Sequence, residues 1–179
     1  MATIDALARQ PNIQDYTAAS QFKVGFTNFP LMEWFCTTVT IPSITLGVAE
    51  RETPMVMAPV AGDKMTFANL DFTMLVDEEL KNYQEAYEWM VNIGFPANHA
   101  QFSAKESIDG IAKIGERDLY SDMQIIILSS KNNPVVTINL YDAFPISLSG
   151  LTYSTQETDS TFLTADVSFA YSYYDFAPL

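Results

Sequence analysis

The chain has 179 residues, of which 48% are hydrophobic and 17% charged, and its 22 acidic and 9 basic residues give a net charge of −13. This length suits one domain with a core of its own. The negative charge argues against a nucleic-acid-binding protein, because such binding depends on cations that neutralise phosphates. The low share of charged residues indicates that part of the surface contacts other protein.

The N-terminal sequence predicts an arm over residues 1–20, followed by a single domain over residues 21–179. We expect no signal peptide, because the first residues lack the basic-then-apolar pattern, and no membrane partner, because the sequence has no run of about 20 apolar residues that could cross a bilayer. Cys36 is the only cysteine, which excludes an intrachain disulfide and, in its apolar stretch, predicts a buried and unreactive thiol. These features favour synthesis in a reducing compartment.

The domain begins with strand patterns. Phe22, Val24 and Phe26 alternate with polar or small residues, which predicts a strand with one buried face. A second strand is predicted over residues 34–41, and Pro42 ends it.

Residues 43–62 predict a protruding or edge hairpin. Pro54 and Pro59 interrupt an otherwise strand-like segment, and proline cannot donate a hydrogen bond to a central strand. An exposed edge with apolar side chains would pair with another chain, and those side chains are Met55, Val56 and Met57. The alternative is a hairpin that folds back on its own core.

A strand over residues 69–77 precedes the only clear helix, which we predict over residues 78–93. Asp77 is expected to cap this helix, and the two glutamates that follow favour its positive end. Gly94 ends it. Its apolar stripe is expected to contain Leu80, Tyr83, Tyr87 and Met90, widened by Ala86, Trp89 and Ile93.

The rest of the chain is predicted as a long loop and more strands. Residues 95–120 have no clear period, and a loop of that length is usually functional or packed on a neighbour. The strands are predicted over residues 123–128, 135–141, 146–153 and 163–174. The fold class is therefore mainly β (α+β), an antiparallel β-sandwich or barrel with one packed helix.

Residues for catalysis or metal binding are scarce. His99 is the only histidine and is far in sequence from the only cysteine, which argues against a zinc site or a nucleophile–histidine pair. The sequence contains no glycine-rich phosphate loop, and the acidic residues 77–79 are explained by the start of the helix. We expect no catalytic residue, no metal and no cofactor, and hence no enzyme.

The order of features after Pro42 resembles that of the tail tube proteins of contractile-tailed bacteriophages, especially the T-even-like group and its cyanophage relatives. These features are the proline-bearing hairpin, the run Ala61, Gly62 and Asp63, then Phe67, the strand, the acidic turn and the helix with Trp89. The C-terminal third is similar as well, from the run YDAFPISLSGL at residues 141–151 to the aromatic strand that ends at Tyr174. The resemblance covers roughly residues 20–176.

This resemblance implies a structural virion protein. In the family, six copies form a ring, neighbouring subunits join their sheets into an inner β-barrel, and stacked rings form a hollow tube inside a contractile sheath. The hairpin that contacts the adjacent ring corresponds to residues 47–60. The expected interface residues are Gly47, Val48, Glu50, Arg51, Glu52, Pro54, Met55, Val56, Met57 and Pro59.

The implied partners are further copies of the chain, the tail sheath protein, the baseplate and the tail terminator. The tube would be assembled in the host cytoplasm and would conduct DNA without binding it specifically. Carboxylates that line the lumen would repel phosphates, and the candidates are Asp71, Asp77 and Asp166.

Three other interpretations remain open. The first is a tube of the same fold, either a baseplate initiator or a tube of a secretion system. The second is a carbohydrate-binding β-sandwich that uses Trp34, Trp89 and tyrosines as stacking platforms. The third is a small acidic hydrolase, for which the sequence offers no positive feature.

Overall fold

The computed structural model describes residues 16–94, 96–97, 120–156 and 162–178. The predicted loop over residues 95–120, including His99, lies almost entirely outside these residues. The elements of the described part are β1 (Phe22–Phe26), α1 (Pro30–Trp34), β2 (Cys36–Thr40), β3 (Ile44–Glu52), β4 (Met57–Phe67), β5 (Leu70–Leu75), α2 (Lys81–Gly94), β6 (Ser121–Leu128), β7 (Pro134–Leu148), β8 (Thr164–Ala170) and β9 (Tyr173–Pro178).

Seven strands form one connected antiparallel sheet in the order β1-β6-β7-β8-β5-β2, with β9 also paired to β7. The sheet doubles over, so that Phe26 of β1 contacts Phe72 of β5 and Phe169 of β8, with ring centroids 5.6 and 5.7 Å apart. The buried core lies between these two layers. The fold is therefore the predicted antiparallel β-sandwich.

The long strand β7 connects the two layers. Its first half pairs with β6 and β9, and its second half pairs with β8. Between the halves, Asp142 has a φ of 55°. Opposite Asp142, β8 ends and β9 begins, and the Ser172 hydroxyl between them donates to Asp142 Oδ2 at 3.2 Å. The prediction was wrong here: residues 135–141 and 146–148 belong to one bent strand, whereas residues 163–174 are split between β8 and β9.

The helix α2 begins three residues later than predicted, and Asp77 does not cap it. The buried side chain of Asn82 fixes this end of the helix: its Oδ1 accepts from Asp77 N at 3.1 Å and its Nδ2 donates to Leu75 O at 2.6 Å. The buried stripe is centred on Asn82, Ala86 and Trp89, and Tyr87 lies outside it with 55% exposure. The predicted burial of Trp89 is confirmed, since only 1% of this residue is exposed.

The structure also contains a short helix, α1, that the sequence analysis did not predict. Pro30 occupies its first turn, where the missing N–H costs no hydrogen bond. Glu85 of α2 accepts a hydrogen bond from Met32 N at 3.2 Å and so caps α1 from a distant part of the chain. The predicted strand over residues 34–41 is consequently shorter, because Trp34 belongs to α1.

Candidate assembly site

The hairpin of β3 and β4 forms a separate two-stranded sheet. Its register runs from the Ile44–Phe67 pair at the base to the Glu52–Met57 pair at the far end. Neither strand pairs with the seven-stranded sheet, and every residue of β3 is exposed. An isolated two-stranded ribbon is at best marginally stable in water, so this ribbon needs other contacts to hold its shape.

The exposed hairpin surface is strongly apolar. Val48 of β3 is 66% exposed, and Met55 and Val56 of the turn are 94% and 64% exposed. A contiguous exposed apolar patch usually marks an interaction surface. The structure places all ten predicted interface residues on this exposed hairpin: Gly47, Val48, Glu50, Arg51 and Glu52 in β3, Pro54, Met55 and Val56 in the turn, and Met57 and Pro59 in β4.

Two glycines bring the hairpin strands unusually close at an irregularity in the register. The pairing shifts between Leu46 and Val48, and a Cβ on Gly62 would lie 2.5 Å from the carbonyl oxygen of Gly47 and 2.8 Å from its carbonyl carbon. Both atoms belong to the backbone, so no side chain could move away. The close approach requires glycine at position 62 and fixes the course of the outer half of the hairpin.

Two tyrosines hold the hairpin base to the body of the protein. The Tyr174 hydroxyl donates to Pro42 O at 3.2 Å, just before β3, and the Tyr171 hydroxyl donates to Ala68 O at 2.9 Å, just after β4. The ring of Phe67 lies against both tyrosines, at centroid distances of 5.5 and 6.1 Å. Burial and the neighbouring Tyr174 raise the pKa of Tyr171 from 10 to about 12, so its hydroxyl keeps its proton into the alkaline range as well as at neutral pH.

We call this pair of tyrosines the base clamp, and the sequence did not reveal it. Tyr171 and Tyr174 were predicted only as members of the strand over residues 163–174. The one available signal was the density of aromatic residues near the C-terminus, and that signal does not reveal partners more than 100 residues away.

The outer surface of β5 and β8 is acidic and hydroxyl-rich. Asp71 accepts from the Ser168 hydroxyl and Asp166 accepts from the Thr73 hydroxyl, each at 2.7 Å across the paired strands. The strands β2, β5 and β8 contain no lysine or arginine. Of the three predicted lumen carboxylates, Asp71 and Asp166 therefore lie together, whereas Asp77 lies beyond the end of β5 in the turn before α2.

The other residues considered for chemistry or sugar binding are Cys36, the possible metal ligands and Trp89. Burial raises the pKa of the half-buried Cys36 thiol to about 12, against the smaller lowering effect of its hydrogen bond to Thr38 O. Within the described ranges, no group of three or more His, Cys, Asp and Glu side chains could hold a metal ion. Trp89 is buried and cannot stack on a sugar, which removes one of the residues proposed as carbohydrate platforms.

No helix of the described residues is both long and apolar enough to span a membrane.

The fold is a β-sandwich with a separate hairpin, and the exposed apolar surface of that hairpin is of the kind that proteins use for assembly. The family model for "Phage tail tube protein" matches residues 8–177. The chain therefore belongs to the phage tail tube protein family, and it is a structural component of a phage tail. A comparison with curated protein sequences finds no match.

Solved structures of contractile injection systems share this fold. A chain of the anti-feeding prophage cap has 13% sequence identity and a TM-score of 0.62, with 98% of this chain and 100% of that chain covered. A chain of the anti-feeding prophage baseplate has 13% identity and a TM-score of 0.58 over 93% and 98% of the two chains. A chain of the sheath–tube complex of an extracellular contractile injection system has 14% identity and a TM-score of 0.56, with full coverage of both.

Proposed function

We propose that six copies of this protein form a ring, and that the rings stack into the hollow inner tube of a contractile phage tail. The observation that carries this proposal is the clamped, apolar hairpin. The base clamp holds it away from the sandwich, where its exposed apolar surface would be a liability in a monomer. Contact with a neighbouring ring would bury that surface.

Free strand edges supply the second type of contact. Within the described residues, β1 pairs only with β6, β2 only with β5 and β9 only with β7. An unpaired edge is a template for strand addition from another chain, and in a closed assembly each such edge is either paired with or covered by a neighbouring subunit. Joined edges around a six-fold axis would give the continuous inner barrel that this family is expected to form.

We propose that the acidic surface of β5 and β8 faces the lumen. Asp71 and Asp166 lie there without a lysine or arginine on the adjoining strands, so the surface would repel phosphates and let DNA pass without adhering. Asp77 is left out of this assignment because it lies on the turn and not on that surface.

The proposed partners are those of an inner tail tube: the sheath protein around it, the baseplate at one end and the terminator at the other. The solved structures with a similar fold come from a sheath–tube complex, a baseplate and a cap. Assembly is proposed to occur in the host cytoplasm, before the tail joins the virion.

The test is negative-stain electron microscopy of purified protein, with substitutions at Met55, the most exposed large hydrophobic residue of the hairpin. Met55→Asp places a charge on the apolar surface and is expected to leave a folded subunit that does not form tubes. Met55→Leu is the matched control, because it keeps an apolar side chain of similar volume, and it is expected to form tubes as wild type does. Tubes from Met55→Asp at wild-type concentrations would contradict a role for the hairpin in stacking.

A tube-terminating cap is a second candidate, because the cap structure has a TM-score of 0.62. A cap would form one ring and stop, whereas a tube subunit would continue to add rings. The length distribution of the assemblies in the same micrographs distinguishes these two functions.

A further inference from the structure

A groove open to solvent lies between the facing edges of β1 and β2. Phe22 and Lys23 of β1 form one wall, and Cys36 and Thr37 of β2 form the other. At the end of α1, Glu33 and Trp34 complete the lining. Trp34 is 81% exposed. We call this feature the β1–β2 groove.

The exposure of Trp34 is not explained by the fold of one chain. Tryptophan is the side chain with the largest apolar area, and it is enriched at the centres of protein interfaces. The indole of Trp34 lies at the rim of a partly apolar groove. An apolar side chain inserted there would cover both the indole and the apolar lining of the groove.

The hairpin tip, residues 53–57, has a shape suited to insertion. Val56 N donates to Thr53 Oγ1 at 3.1 Å and Thr53 N donates to Val56 O at 3.3 Å, so the turn is closed by its own hydrogen bonds. The side chains of Met55 and Val56 in this turn are exposed, and Val48 is the only other large apolar residue of the hairpin that is exposed to a similar extent. A flexible thioether also makes favourable contacts with aromatic rings.

The charges beside the tip and beside the groove are complementary. Arg51 and Glu52 flank the tip, and Lys23 and Glu33 flank the groove. In the described part of the chain, the only salt bridge joins Lys81 to Glu79, so none of these four residues is in an ion pair. Each charge at the tip could therefore face an opposite charge at the groove.

We propose that the hairpin tip of one copy docks in the β1–β2 groove of a second copy, with Met55 against Trp34 and Glu52 beside Lys23. The inference rests on the proposed tube function and specifies which surfaces of adjacent rings meet. The occupant is a second copy because the tip of the same chain is exposed and does not reach its own groove. The outer half of β3 extends from the hairpin base by about 3.3 Å per residue.

The first test is disulfide trapping in assembled protein. In a Cys36→Ser background, Met55→Cys and Thr37→Cys are introduced together, the protein is assembled and then oxidised, and non-reducing gels are run. A ladder of covalent oligomers is expected. The matched control carries Met55→Cys and Val135→Cys, also at an exposed site, and is expected to stay mostly monomeric on the gel.

The second test is charge exchange, which stays informative if the cysteine variant does not assemble. Lys23→Glu and Glu52→Lys are each expected to raise the concentration needed for assembly about tenfold, and the double variant is expected to return to within about threefold of wild type. Tubes that form normally without a ladder, or a double variant no better than the singles, would overturn the docking proposal and leave the tube function intact. Failure of the wild type to form any tube would instead refute the tube function.

Discussion

Substituting Gly62 tests the geometry of the hairpin most sharply. In Gly62→Ala the new Cβ would lie 2.5 Å from Gly47 O, which belongs to the opposite strand. Since both nearest atoms are backbone, the strands must separate or the outer hairpin must change direction. Overpacking of this kind costs about 1–3 kcal/mol.

The cost of this substitution should appear in assembly rather than in core stability. The hairpin is a separate two-stranded sheet, so the seven-stranded core is expected to unfold as in wild type. If a displaced hairpin must return to its wild-type course before it can dock, the free-energy cost of about 1–3 kcal/mol raises the critical concentration for tube formation by roughly 5- to 150-fold.

The assay is sedimentation of assembled protein, with the concentration left in the supernatant as the critical concentration. Gly150→Ala is the control, because a Cβ at that position meets no atom within 4 Å. If Gly62→Ala assembled within about twofold of wild type, or if Gly150→Ala were impaired equally, the argument from the close crossing would be refuted.

Three further predictions concern the base clamp and two half-buried groups. Tyr174→Phe removes the hydrogen bond to Pro42 O and should speed hydrogen exchange in the hairpin about 2- to 10-fold, with exchange in β6 unchanged; an unchanged hairpin would refute the clamp. Burial raises the pKa of Glu85 above its ordinary 4.5, outweighing the lowering effect of the Met32 and Leu31 N–H groups. The folded state therefore binds this proton more tightly than the unfolded state does, and the free energy of unfolding should fall as pH rises above about 4.5. Urea denaturation at several pH values should show a smaller fall for Glu85→Gln than for wild type. Cys36, with a pKa of about 12, should react with maleimide at least about tenfold more slowly in the folded protein than in urea, and equal rates would contradict its burial.

The sequence was sufficient where one face of a strand is buried and the other is not. The alternation in β1 and β5 identifies both strands, because Val24, Phe26, Phe72 and Met74 are all buried. The hairpin was also predictable, because Pro54 and Pro59 mark a segment that cannot lie inside a sheet.

The sequence was insufficient where a distant residue decides the local structure. The bend in β7 depends on Asp142 and its hydrogen bond to Ser172, 30 residues later. The helix α1 has only five residues and is capped by Glu85, 53 residues after Met32. Asn82 has the polarity of an exposed helix residue, yet it is buried and bonds to Leu75 at the end of β5 and to Asp77 in the turn, which sets the start of α2.

The candidate site divides in the same way. The exposed hairpin follows from residues adjacent in sequence, so its position could be predicted, whereas the ten interface residues on it remain a prediction. The base clamp and the β1–β2 groove could not be predicted, because each combines elements far apart in the chain, such as Tyr174 with Pro42, or Phe22 with Trp34. Trp34 in particular was predicted within a strand, and only its place at the end of α1 reveals its exposure.

The central claim, that this subunit builds a hollow tube by stacking rings, is tested most directly by electron cryomicroscopy of the purified wild-type protein over a range of concentrations. The account predicts rings with a central channel and six-fold symmetry in end views, and stacked, open-ended tubes in side views. A monomer that persists up to the highest soluble concentration, with and without a baseplate to nucleate assembly, would contradict it.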